Sequence, residues 1–199
     1  MARIRIITLL LLCGLLVACG STPRSNYFML SADATGLPDG SGPSLGVGPI
    51  SIPDYLKARE MVLNRSDHAL RMAEYDRWAE PLDSAVLRVL AVNLSSLMDS
   101  QNIQIYPWRR DSIPRYSVRV AVIQLATQDT KAHFVAEWSV HKTHNGGVLS
   151  QHISQLETAS DSSDPETIAA AYSNLLLQLS EEIATAIKDY DLRQPDTDT

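Results

Sequence analysis

One stretch limits the folds open to this chain more than any other. It is Asp76 to Asp99, DRWAEPLDSAVLRVLAVNLSSLMD. At helical spacing Leu82, Val86, Val89/Leu90, Asn93/Leu94 and Leu97 fall on one stripe. That is the i, i+3/i+4, i+7 pattern of an amphipathic helix. Pro81 suits the first helical position, where a missing N–H costs nothing. Asp83 in the first turn complements the positive end of the helix dipole. Trp78, just before the helix, is large enough to fill the space beneath its first turn. Such a helix cannot bury its stripe alone. It needs an apolar sheet face, and the segments on either side supply strands.

The N-terminus stands apart from that fold. Arg3 and Arg5 precede the apolar run Ile6–Leu16, which has the length of a signal-peptide core and is too short to span a bilayer. The run ends in Leu16-Val17-Ala18-Cys19. Small residues before a cysteine in this position resemble a bacterial lipobox. The resemblance implies cleavage before Cys19 and lipidation of that cysteine, with residues 1–18 as the signal peptide. The alternative is an ordinary secretory signal with Cys19 as a stray thiol. Cys13, the only other cysteine, lies in the apolar run and would leave with it. The mature chain would then hold no internal disulfide, although the compartment permits one, and the fold must rest on its core. Loss of Arg3 and Arg5 takes the formal net charge from −6 to −8. A protein this acidic repels nucleic acid and anionic headgroups, so membrane attachment must come from acyl chains. Gly20 and Ser21 follow the cysteine. In Gram-negative lipoproteins an Asp at that place usually marks inner-membrane retention. Its absence implies the outer membrane, facing the periplasm.

Along the mature chain, residues 19–26 read as a lipidated tether, 27–190 as one domain, and 191–199, which contain Pro195, as a disordered tail. Tyr27–Leu30 is a compact apolar run and a first strand. Ser31–Ser44, rich in Gly, Pro, Ser and Asp, reads as a flexible loop. Strands are expected at Leu45–Ile52, Glu60–Asn64 and Ala69–Tyr75, with a turn at Asn64–His68. A short strand at Ile103–Tyr106 precedes a loop. Tyr116, Val118, Val120 and Val122 alternate with polar or small residues, as do Phe134, Ala136, Trp138 and Val140. His144-Asn145-Gly146-Gly147 is a hairpin signal, and the return strand Val148–Glu157 is polar enough to lie near an edge. Asp164-Pro165-Glu166 opens a last helix, with Asp164 as N-cap. Its stripe is Ile168, Tyr172, Leu175/Leu176, Leu179, Ile183 and Ile187, and it ends near Tyr190. The order predicts an α+β single domain: two helices packed on one face of a mostly antiparallel sheet.

Each candidate for chemistry has a structural reading beside it. Gly42-Pro43-Ser44-Leu45-Gly46 matches G-x-S-x-G, but a nucleophile elbow needs a strand before the serine and a helix after it. Here a Gly/Pro loop precedes Ser44 and a strand follows. His141 and His144 form H-x-x-H, with His133 and His152 on adjoining strands. On alternating strands the four cannot face one point, as a metal site requires. Asp76, Glu80 and Asp83 could do acid–base work or serve a helix N-terminus. Arg109, Arg110 and Arg115 flank Trp108, either as an anion or partner site or as a solvated basic turn. The chain offers no convincing enzyme, metal or cofactor site. Two loops place an aromatic beside Lys or Arg, a composition enriched at interfaces. They are Pro53–Arg59, with Tyr55, and Pro107–Arg115, with Trp108, Arg109 and Arg110. These aromatics either finish the monomer core or meet a partner.

Several pieces together resemble one family. They are the lipobox, Tyr27-Phe28-Met29-Leu30, Val47-Gly48-Pro49-Ile50-Ser51-Ile52-Pro53-Asp54-Tyr55-Leu56, Asp76-Arg77-Trp78-Ala79-Glu80-Pro81-Leu82, Leu90-Ala91-Val92-Asn93-Leu94 and Tyr106-Pro107-Trp108. The chain is similar over nearly all its mature length to the PqiC (YmbA) family of ABC-type transport auxiliary lipoproteins. The resemblance implies an outer-membrane lipoprotein on the periplasmic side that accompanies an MCE-domain protein of the PqiB type in lipid transport between the membranes. It implies no catalysis, no cofactor, no nucleic acid, and a homo-oligomeric ring that meets the end of the MCE tunnel. Of site residues it carries over Cys19 alone. Two other readings remain: a lipoprotein that assists a β-barrel outer-membrane assembly in the manner of LptE, and an envelope hydrolase with a reactive Ser44.

Overall fold

The structure, a computed structural model, describes residues 24–193 except 67, 110, 145 and 161–163, and of 64–66 it describes the backbone only. The signal segment 1–18, Cys19, most of the tether, Arg110 and residues 194–199 of the expected tail lie outside the described residues. Strands β1 (Asn26–Phe28), β2 (Leu45–Ser51), β3 (Glu60–Ser66) and β4 (Ala69–Trp78) precede helix α1 (Leu82–Leu97). Strands β5 (Ile103–Ile105), β6 (Tyr116–Gln128), β7 (Lys131–Lys142) and β8 (Gly147–Ala159) follow, and helix α2 (Pro165–Arg193) ends the described chain.

The two-helix α+β class holds, but the strands form two sheets. One has the order β1-β4-β3, the other β5-β2-β6-β7-β8. Both are mixed: β1/β4, β2/β5 and β2/β6 run parallel, while β3/β4, β6/β7 and β7/β8 are antiparallel. The antiparallel pairs are the hairpins that short turns close. The parallel pairs need crossovers, which local patterning does not reveal. The polar strand β8 is an edge, as its composition predicts.

The apolar alternation is realised. Tyr116, Val118, Val120 and Val122 of β6 and Phe134, Ala136, Trp138 and Val140 of β7 are all buried. They share one face, since Val118 pairs with Val140 and Val120 with Trp138. Beyond Val122 a bulge shifts the register, so Gln124 joins Ile123 in facing outward and Leu125 turns inward. The stripes of both helices join this face in one core: Val86, Val89, Leu90 and Leu94 from α1, Leu175, Leu179, Ile183 and Ile187 from α2. Trp78 reaches further than the space under α1. It stacks on Tyr172 of α2, with ring centroids 6.1 Å apart and planes at 27°.

Several features differ from expectation, beyond strands β3, β4 and β8 each running two or three residues further. β1 spans Asn26–Phe28 rather than reaching Leu30, because Asn26 pairs with Asp76. Pro81 stands before α1 rather than inside it, with its carbonyl accepting the first helical bond from Ala85 N–H at 3.0 Å. The helix α2 passes Tyr190 and continues to Arg193, so Asp191–Arg193 are helix rather than tail. The loop from Ser31 to Ser44 lies fastened along α1. Asn93 Oδ1 accepts the N–H groups of Asp33 and Ala34, both at 3.1 Å. Ser96 Oγ donates to Thr35 and Gly36 carbonyls, and Gln101 Nε2 to that of Pro38.

Candidate functional site

The groups that could have carried chemistry are committed to the fold. Ser44 Oγ accepts the N–H of Arg115 at 2.9 Å, and its carbonyl accepts that of Tyr116. Strand β2 follows it directly, so the turn that would present a nucleophile to substrate is not formed. Asp76 accepts from Asn26 Nδ2 at 2.9 Å, and Asp83 from the N–H of Ser84. Glu80 pairs with Arg88, whose guanidinium also donates to the Leu30 carbonyl.

The histidines do not converge. His133 and His141 point away from the core face of β7, while His152 lies opposite Trp138 on the core side of β8. His152 tilts against the Trp138 ring, with centroids 5.0 Å apart, and its Nε2 bonds Ser150 Oγ. Burial, helped by the Arg119 charge, holds the His141 ring below its ordinary pKa. Among the described residues no three His, Cys, Asp or Glu side chains are grouped to hold a metal ion.

The segment between β5 and β6 is more informative. The strands β5 and β6 flank β2 on both sides in parallel register, so the chain must cross over the outer face of β2 to pass between them. That crossing explains Gly46. Its partner positions on the core side, Leu45 and Val47, are buried, so Gly46 faces outward under the crossover. A Cβ there would stand 2.8 Å from Pro114 Cγ and 2.9 Å from the Trp108 ring. Trp108 is thus half-buried against the sheet and meets Tyr106 edge-on, with centroids 5.2 Å apart and planes at 80°. Arg109 projects outward and pairs with Asp111 at 2.8 Å. The far end of the crossover is tied down: Arg115 pairs with Asp191 at 3.1 Å, and the Tyr116 hydroxyl donates to the same carboxylate. Burial and the Asp191 hydrogen bond push the Tyr116 hydroxyl well above the ordinary tyrosine range. Arg115 therefore closes the helix α2 onto the sheet.

Tyr55 sits elsewhere. It lies in a 3₁₀ turn (Asp54–Leu56), half-buried against the core, with its hydroxyl 3.5 Å from the N–H of Leu125. Lys57 pairs with Asp54 at the surface. Gly46 pairs with Ser117, so the two aromatics stand eight residues apart along β6, about 26 Å. The fold holds them apart at opposite ends of one strand.

A third feature escaped the sequence reading. A cleft of about 730 Å³ opens between β8 and α2. Trp138 lies at its floor and donates from Nε1 to Ser154 Oγ at 2.7 Å, which in turn donates to Glu182. Ile153 and Leu156 are at its walls, and Glu181, Glu182 and Asp189 come from the helix. The one available signal was the placement of Glu181, Glu182, Thr185 and Asp189 on a helix face next to the Ile183/Ile187 stripe. Helical periodicity alone does not say that this face borders a sheet edge.

Comparison with known proteins adds the following. A family model described as the ABC-type transport auxiliary lipoprotein component matches residues 28–184. No curated protein matched the sequence. The crystal structure of an uncharacterised protein superposes with a TM-score of 0.67 at 22% identity, covering 83% of this chain and 99% of that one. A Xanthomonas campestris protein of the DUF330 family superposes with a TM-score of 0.66 at 17% identity, over 85% and 99% of the two chains. At these identities the likeness is one of fold.

Proposed function

This chain belongs to the family of ABC-type transport auxiliary lipoprotein components, and from that membership we propose that it is the outer-membrane lipoprotein subunit of an MCE-type intermembrane lipid transport system. It acts without catalysis. Cys19 carries the acyl chains, and the domain stands on the periplasmic face of the membrane. Copies associate into a closed ring, through contacts that include Tyr55, Trp108, Arg109 or Arg110, and the ring docks on an MCE-domain protein of the PqiB type.

One observation does most to support the assembly reading. A single copy is too small to enclose a passage for lipid, and a ring of copies needs two different faces on each. The two aromatic-bearing loops stand about 26 Å apart at opposite ends of β6, where one contact could not use both in the same way. The absence of catalysis is supported by Ser44, Asp76, Glu80 and Asp83, all of which serve structural bonds.

Crosslinking in cells tests the partner. A photoreactive residue at position 55 or 109 of the full-length protein should capture copies of itself and an MCE-domain protein. Capture of a β-barrel protein instead would replace this reading with that of a barrel-assembly lipoprotein.

A further inference from the structure

We propose that the end of the β3–β4 hairpin, with Leu70 and Met72, dips into the bilayer surface as a second membrane contact beside the lipidated cysteine. This rests on the anchor at Cys19 proposed above, and adds which part of the domain meets the lipid. The first argument is the direction of the chain. β1 runs parallel to β4, with Asn26 against Asp76. The residue before it is held there too, since Arg77 Nη1 donates to Ser25 Oγ at 3.1 Å. A chain that enters β1 in parallel register comes from the side on which β4 begins. β4 begins at Ala69, which pairs with Ser66 at the closed end of the hairpin. Ala69 lies seven residues before Asp76, and Cys19 seven before Asn26. At strand spacing each stretch is about 23 Å. An extended tether in the register of β1 therefore ends beside the hairpin. Among the described residues no strand pairs with the β1 side of β4 from Ala69 to Tyr75, so that track is open.

The second argument is what the hairpin exposes. Ala69, Leu70, Arg71 and Met72 are all exposed, although side chains of a strand alternate between two faces. Neither face is covered there, so the start of β4 stands clear of the core. Leu70 and Met72 share one face and are 49% and 45% exposed. Val62, paired with Met72, is buried, so this apolar face runs from the core out to the tip. A single apolar side chain at a surface needs no explanation. Two in line at a hairpin end leave apolar area in water that a lipid surface would cover.

The third argument is charge. The chain as a whole is acidic, with a formal net charge of −6. Between Met61 and Ala73 the balance reverses, with Arg65 and Arg71 against Asp67. Arg71 is exposed and alternates with Leu70 and Met72 along the strand. A long basic side chain beside an apolar one suits the boundary between acyl chains and phosphate groups. Two apolar side chains bury far less than an acyl chain and do not hold a protein on a membrane. Added to the acyl chains, they fix the tilt that a tether alone leaves free.

The test uses the full-length lipidated protein on vesicles of phosphatidylethanolamine and phosphatidylglycerol. Acylated Cys19 has no free thiol, so a single introduced cysteine takes an environment-sensitive dye. Leu70→Cys and Met72→Cys are compared with Val148→Cys, which is 56% exposed beside the β7–β8 turn. Lipids carrying a quencher just below the headgroup should quench the dye at 70 or 72 roughly threefold more than at 148. Equal quenching at all three, on protein that floats with the vesicles, overturns the hairpin contact and leaves the anchor standing. Unsubstituted protein that takes up dye and does not float overturns the anchor, and the contact with it. Thermal melts show which variants keep the wild-type fold, and Ala69→Cys replaces one that does not. With the dye at Ala69→Cys, Leu70→Glu and Met72→Glu together should abolish the excess quenching while the protein still floats. Excess quenching that persists in that variant overturns the role of the two side chains. A photoreactive residue at position 70 that captures an envelope protein in cells, with no excess quenching on vesicles, assigns the hairpin to that protein, and the proposal fails.

Discussion

Tyr172 shows how one buried hydroxyl couples this core to pH. The ring stacks on Trp78, and the hydroxyl accepts from Thr127 Oγ1 at 3.2 Å in the interior. Burial pushes its pKa up to about 12, against the Thr127 hydrogen bond, which pulls it down. An unfolded tyrosine ionises near 10. Between those values the unfolded chain gives up a proton that the folded one keeps. The contribution is therefore whole below pH 10 and is lost as pH rises from there to about 12. A two-unit difference corresponds to about 3 kcal/mol across that window. Urea unfolding at pH 8, 10 and 11.5 should show the wild type weakening above pH 10, and Tyr172→Phe weakening less. The slope should shrink without vanishing, because Tyr116 is raised for the same reason. Equal alkaline slopes for the two proteins would mean that Tyr172 is solvated. Asn93 works differently. Its place on the apolar stripe of α1 is visible in the sequence, and it is fully buried. Its task, holding the N–H groups of Asp33 and Ala34, depends on a segment 60 residues away.

At the scale of elements, both helices answer to the same sheet face. Leu90, Leu94, Leu175 and Leu179 have no exposed surface and belong to one cluster. Each change to Ala should cost about 2–5 kcal/mol, read as a lower thermal midpoint. Two of the four melting like wild type would break the common core. The helices were legible because a 3.6-residue stripe over four turns or more has one geometric meaning. The strands were legible as strands, from alternation in β6 and β7. Their partners were not. Nothing local to Leu45 predicts pairing with both Ile103 and Tyr116, yet that pairing forces the crossover which presses Trp108 onto Gly46. Likewise the polar sequence Asp191–Arg193 reads as a tail, but Asp191 is held in the helix by Tyr116 and Arg115 from across the molecule. Trp108 and Tyr55 could be chosen from composition. Their separation along β6, and the cleft beside β8, come from topology.

For the whole molecule the decisive length is that between the proposed anchor, Cys19, and the fold. β1 begins at Asn26, seven residues after Cys19, and a fully extended tether of that length spans at most about 25 Å. If Cys19 carries the lipid as proposed, a domain so tethered would stay beside the membrane. Among the described residues no helix is long and apolar enough to cross a bilayer. Acyl chains on Cys19 would then supply the hold on the membrane, each buried CH₂ contributing about 0.8 kcal/mol, so that two or more chains give stable anchoring. The surfaces proposed for self-association, the turn at Tyr55 and the crossover between β5 and β6, do not include the tether. Anchoring and assembly should therefore separate. In cells fed labelled palmitate, Cys19→Ala should lose all label and leave the membrane fraction or remain unprocessed. Any of it recovered in soluble form should keep the multimeric mass of the wild type. Persistent label on Cys19→Ala would show a second attachment point. A soluble variant that is strictly monomeric, beside a multimeric wild type, would show that the membrane, by concentrating and orienting the copies, drives assembly that the protein faces alone cannot.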